Sequence, residues 1–169
     1  MGMMGAGKSS VGCELASGLA RDFIDTDAAV ERAAGRTVAE IFAEEGEAAF
    51  RRWERAEVVA CAASDAVVAL GGGAGAEPET ARIVRGAGRS VYLRACPETL
   101  LDRLGDAGTR PLLAGLPGPA RLDRLRDLLA EREPAYGQAD ASIDTDGLSI
   151  GEVALEVAAR LDLPWEAVS

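Results

Sequence analysis

Gly2-Met3-Met4-Gly5-Ala6-Gly7-Lys8-Ser9 has the spacing G-x-x-x-x-G-K-S, and its reading decides the fold. Backbone N–H groups can curl around phosphate oxygens only where side chains do not interfere, so such a loop needs glycine. Immediately after it, Val11, Leu15 and Leu19 recur at spacing four and predict one apolar helix face from about Ser9 to Arg21. A glycine-rich turn feeding a helix N-terminus is an anion site, with a lysine to reach the outer phosphates and a hydroxyl to ligate Mg²⁺. By itself this loop implies a bound nucleotide phosphate; a chance glycine turn before a helix is the bland alternative.

Outward from the loop, short β-type runs alternate with helical segments, which predicts an α/β fold with a parallel sheet flanked by helices. Phe23–Asp27, Val67–Leu70, Ser90–Arg94 and Ala141–Asp144 read as strands. Asp27 is placed to cap a helix ending near Ala34, with Gly35 as its stop. Thr37/Glu40 and Ser149/Glu152 form capping boxes, and Pro78 and Pro97 each suit a first helical turn. A longer helix is expected over 47–63 and a charged one from about Arg121 to Glu133, with a mobile Gly/Pro-rich loop before it.

The 169 residues favour one domain spanning 1–169. With 48 % hydrophobic and 27 % charged residues the chain can bury a core, although only 4 % are aromatic. A net charge of −10 without a basic run argues against nucleic acid as a partner. No apolar run is long enough for a membrane span, which argues against a membrane partner. The three cysteines, Cys13, Cys61 and Cys96, form no C-x-x-C pair and read as reduced thiols of a cytoplasmic protein. Lys8 is the single lysine and histidine is absent, so any proton transfer falls to a carboxylate, Lys8 or water.

Asp25 and Asp27, two apart on an expected strand, would share one face of the pleat. One could support a metal's water shell and the other meet an acceptor hydroxyl; Asp27 could equally be a helix cap. Gly71-Gly72-Gly73 after an apolar strand lets a ligand approach backbone amides, or is a flexible turn. Arg51 has Glu54 one turn on and could be a surface ion pair; Arg110 and Arg132 taken singly could be solvated.

Taken in order, MGAGKSSVG (4–12), DTDAAVE (25–31), GRTVAEIFAEEGEAAFRRWE (35–54), LGGGA (70–74), RPLLAG (110–115) and EREPAY (131–136) resemble the shikimate kinase family. The resemblance runs from Gly2 to about Asp144. It implies a three-layer P-loop NTPase fold of the nucleoside-monophosphate-kinase type, a monomer, and transfer of the ATP γ-phosphate to the 3-hydroxyl of shikimate. It implies ATP binding by Gly5, Ala6, Gly7, Lys8, Ser9, Ser10 and Arg110, and Mg²⁺ held by Ser9 and, through water, Asp25. The catalytic set would be Lys8, Asp27 and Arg110. Shikimate would meet Asp27, Arg51, the backbone of Gly71, Gly72 and Gly73, and Arg132. A shikimate-binding helical region would span about 28–63 and a lid about 105–120. A gluconate-type kinase and a poorly active nucleotide-binding relic are the alternatives.

Three departures from the family pattern stand out. Cys13 occupies a position where the family commonly has Arg. No basic residue near Asp144–Gly147 is available to adenine, leaving Arg110 and apolar packing. Only Met1 precedes Gly2, so the central strand that should feed the loop is expected to be missing, opening a gap between the Val67 and Ser90 strands. A true start upstream of Met1 is the expected reason.

Overall fold

The computed structural model describes residues 1–105 and 110–165. Helix α1 (Lys8–Gly18) follows the glycine loop, and β1 (Phe23–Asp25) runs into α2 (Thr26–Ala34). Helices α3 (Val38–Glu45) and α4 (Glu47–Cys61) lead to β2 (Val67–Ala69). A 3₁₀ turn (Ala74–Ala76) and α5 (Pro78–Ala87) precede β3 (Val91–Arg94), and α6 (Pro97–Leu104) follows it. The chain continues through α7 (Gly118–Tyr136), β4 (Ala141–Asp144) and α8 (Ile150–Arg160).

The strands form two parallel ladders, β1 with β2 (Phe23↔Val67 to Asp25↔Ala69) and β3 with β4 (Val91↔Ala141 to Arg94↔Asp144). The expected gap lies between them: β2 and β3 share no ladder. Met1 enters it, donating its nitrogen to the Val91 carbonyl at 2.6 Å and accepting from the Leu93 N–H at 2.9 Å. That is the parallel bonding pattern, carried by one residue. Beside it lies an apolar cavity of about 440 Å³ bounded by Leu15, Val67, Leu70, Leu93 and Val157.

Small residues let α1 lie close to its neighbours. A Cβ on Gly12 would come 2.6 Å from the Phe23 ring, and one on Gly18 equally near the Trp165 ring. The main core joins Val11 and Leu15 to Tyr92, Leu93, Ile143 and the buried face of α8. A smaller core of Val30, Ile41 and Phe50 sits beneath α2, α3 and α4, so this helical excursion is packed on its own account. Each such side chain contributes roughly 1.5–3 kcal/mol on burial.

Both capping boxes form, at Thr37/Glu40 and Ser149/Glu152, and Gly35 ends α2 with φ 65°. Several boundaries differ from expectation. The first strand stops at Asp25, and α2 starts at Thr26 because the Asp25 carboxylate caps it. Asp27 is therefore neither the cap nor on a pleat with Asp25. Helix α7 begins at Gly118, which shortens the preceding loop. The reading of 105–120 as a lid falls partly on 106–109, outside the described residues; within the rest, Leu113 is fully buried in the main core.

Candidate active site

The loop's glycines are used where the backbone requires them. Gly5 and Gly7 have φ of 81° and 85°, and a Cβ on Gly5 would meet the Leu100 carbonyl at 2.8 Å. No side chain caps α1, so its first N–H groups stay available to an anion. Lys8 donates from Nζ to the Met3 carbonyl at 2.9 Å. Burial lowers its pKa to about 8; Asp27 opposes this and Arg110 adds to it. Ser9 donates its hydroxyl to Asp25 Oδ2 at 2.5 Å. The other oxygen, Asp25 Oδ1, accepts from the Asp27 and Ala28 N–H groups at 3.0 and 3.3 Å. Capping α2 thus fixes the carboxylate that faces Ser9.

These groups line a cleft of about 890 Å³ that also receives Ser10, Asp27, Gly72 and Arg110. Arg103, Leu148 and Ile150 also line it. Arg103 donates to the Thr145 hydroxyl at 2.8 Å and to the Thr145 carbonyl at 2.6 Å. A basic side chain therefore stands beside Thr145, although the stretch near Asp144 carries none of its own. The sequence placed no weight on it because its partner is 42 residues away.

The other side of Gly72 is built from buried polar side chains. Arg51 donates to Glu54 at 2.6 Å and to Glu47 at 2.8 Å, with its guanidinium 5.3 Å from the Phe50 ring centroid. Glu54 is only 2 % exposed, which overturns the surface-ion-pair alternative for this couple. Burial raises the Glu54 carboxyl against the pull of Arg51, and burial followed by the nearby Asp25 charge raises Asp27. Asp27 Oδ1 and Glu54 Oε1 are both buried without a hydrogen-bond partner among the described residues. Both crowd the position of a Cβ on Gly71, and the Arg51 guanidinium crowds that of one on Gly73. Neither glycine needs a positive φ. They are glycines because three charged side chains occupy the space beside them.

Arg132, 6 % exposed on α7, donates to the Gly72 carbonyl at 3.3 Å, and the Tyr136 hydroxyl donates to the same oxygen. The Thr26 hydroxyl, fully buried, accepts from the Gly71 N–H at 2.8 Å. Residues expected from sequence therefore gather in one neighbourhood. Gly5, Ala6, Gly7, Lys8, Ser9, Ser10, Asp25, Asp27, Gly72 and Arg110 line the cleft, while Arg51, Gly71, Gly73 and Arg132 stand behind Gly72. Thr26, Arg103 and Tyr136 were not singled out in advance.

A sequence profile described as shikimate kinase matches residues 4–162. The shikimate kinase of Symbiobacterium thermophilum is 49 % identical over 166 residues, covering 95 % of this chain and 93 % of that protein. The shikimate kinase of Chlorobium chlorochromatii is 39 % identical over 167 residues, covering 95 % and 88 %. Among solved structures, shikimate kinase from Acinetobacter baumannii in complex with shikimate superposes with a TM-score of 0.89 at 35 % identity, covering 95 % of this chain and 90 % of that one. The glycine loop, the acidic pair behind it and the arginines around Gly72 are thus found in a chain that belongs to the shikimate kinase family.

Proposed function

We propose that this chain transfers the γ-phosphoryl group of ATP to the 3-hydroxyl of shikimate, giving ADP and shikimate 3-phosphate. The observation that carries the reading is the meeting, next to Lys8 and Ser9, of half-buried Arg51 and buried Arg132 with two carboxylate oxygens that have no partner among the described residues, around Gly71–Gly73. A ring acid with several hydroxyls has the complementary groups. Its carboxylate suits Arg51 and Arg132, and its hydroxyl hydrogens suit Asp27 Oδ1 and Glu54 Oε1.

On the nucleotide side, the α1 N-terminus and the loop amides take the phosphates, with Lys8 reaching the β- and γ-phosphates. The purine is read as lying against Arg103, Leu148 and Ile150, whose cation and apolar surface suit stacking. Ser9 Oγ and Asp25 Oδ2, 2.5 Å apart, are hard oxygen donors that fit a Mg²⁺ ion, Ser9 directly and Asp25 through water. When bound, that ion would neutralise charge on the β- and γ-phosphate oxygens. Asp27 then accepts the hydrogen of the attacking hydroxyl, while Lys8 and Arg110 stabilise the charge spread over the transferring group.

Helices over 28–63 are read as the acceptor-binding region, and the segment carrying Arg110 as the cover over the phosphates. The chain is read as a monomer. Its cysteines are unpaired, Cys61 buried and Cys13 and Cys96 exposed, which fits a cytoplasmic setting. Coupled detection of ADP release tests the reading: turnover with shikimate and none with gluconate is expected. Equal or faster turnover with gluconate would overturn it.

A further inference from the structure

Tyr136 is fully buried at the end of α7, its ring tilted against Tyr92 with centroids 5.1 Å apart. Its hydroxyl donates to the Gly72 carbonyl and lies 3.9 Å from the Met3 sulfur. One turn earlier on the same helix, Arg132 donates to the same carbonyl. The Gly72–Gly73 peptide is trans, so the Gly72 C=O and the Gly73 N–H point in opposite directions across one planar unit. Tying the oxygen to α7 therefore turns the Gly73 N–H away from α7. Among the described residues neither the Gly72 nor the Gly73 N–H has a hydrogen-bond partner. Gly71 differs: Thr26 already satisfies its N–H. The Gly73 amide is thus held by the α7 contacts to Gly72, and the Gly72 amide by the Ala74 N–H on the Gly71 carbonyl, with nothing among the described residues to receive either, an arrangement suited to a ligand oxygen.

We infer that Tyr136 is a positioning residue for the acceptor, acting through the Gly72 carbonyl to aim the Gly73 amide at one of its oxygens. The inference rests on the proposed reading of this face as the acceptor site. Arg132 shares the carbonyl, and its role in the acceptor carboxylate clamp requires its remaining N–H groups to turn elsewhere. Tyr136 is the donor that can stay on Gly72 throughout the cycle. Burial raises its hydroxyl above the ordinary tyrosine range, so it remains a donor at any working pH.

Tyr136→Phe keeps the ring and removes only the donor. Tyr92→Phe is the matched control: it belongs to the same ring pair, and its hydroxyl has no partner among the described residues. In Tyr136→Phe the acceptor KM should rise about tenfold, the scale of one buried hydrogen bond. The ATP KM should stay within about twofold, and Tyr92→Phe should change neither. Amide hydrogen exchange compared with and without shikimate gives a readout independent of turnover: the acceptor should slow Gly73 exchange in the wild type and much less in Tyr136→Phe, while the buried amides of α7 are alike in both. If both KM values hold while stability falls, or if the acceptor protects Gly73 equally in both proteins, Tyr136 is a packing residue and the inference fails. Should wild type turn over a different acceptor, the proposed function fails. The KM split for that acceptor and the exchange rates then still decide the role of Tyr136.

Discussion

The two halves of the cleft are held in different ways. Around the glycine loop the contacts are short in sequence: Lys8 to the Met3 carbonyl, Asp25 to the start of its own helix, and Ser9 to Asp25 sixteen residues on. On the acceptor side, elements far apart in the chain lock one another, with Thr26, Arg132 and Tyr136 all bonding the glycine run. Phosphate is recognised by a backbone shape that a short motif can encode. A small polyhydroxy acid needs individual donors and acceptors at fixed points, which only tertiary packing supplies. The nucleotide half should therefore yield to single changes in rate. The acceptor half should yield in binding and stability together.

The largest effect is expected from Lys8→Ala, which should cut kcat by about 10²–10³ with little change in Tm. Steady-state turnover beside a thermal melt checks this, and a large loss of stability would break the contrast. Next, Arg132→Ala should raise the shikimate KM roughly a hundredfold, the scale of a charge-assisted hydrogen bond, and leave the ATP KM nearly unchanged. A matching rise in both would mean that the halves are not separable. Gly73→Ala pushes Arg51 out of its place against the backbone. We expect about a tenfold rise in shikimate KM and about 1–3 kcal/mol less stability, as Glu54 loses its cation. Urea titration and acceptor kinetics measure the two parts. The smallest effect should come from Arg103→Ala, a roughly threefold rise in ATP KM with the shikimate KM untouched, on the scale of one exposed cation–π contact. Calorimetry with a non-hydrolysable ATP analogue reads it directly.

The same contrast explains what the sequence disclosed. The glycine loop, the Thr37/Glu40 and Ser149/Glu152 boxes and the Gly35 stop each lie within a few residues and were legible. The partners that escaped notice are remote: Arg103 from Thr145 by 42 residues, Thr26 from Gly71 by 45, Tyr136 from Gly72 by 64. Residue types alone cannot announce such pairings. The Asp25/Asp27 error has a local cause. Either carboxylate suits a helix cap, and strand periodicity over three residues is too short to choose. The glycine run also has a reason that the sequence did not disclose: Gly71 and Gly73 make room for Asp27, Glu54 and Arg51.

With Lys8 the single lysine, the chain has one side-chain amine, and that amine lines the glycine-loop cleft with its pKa lowered by burial to about 8. Acylating or aldehyde reagents at mildly alkaline pH therefore find one ε-amino group, and a bound nucleotide would shield it. The mass gained by the Lys8 peptide, followed against time with and without ATP, would report site occupancy without an attached probe or engineered cysteine.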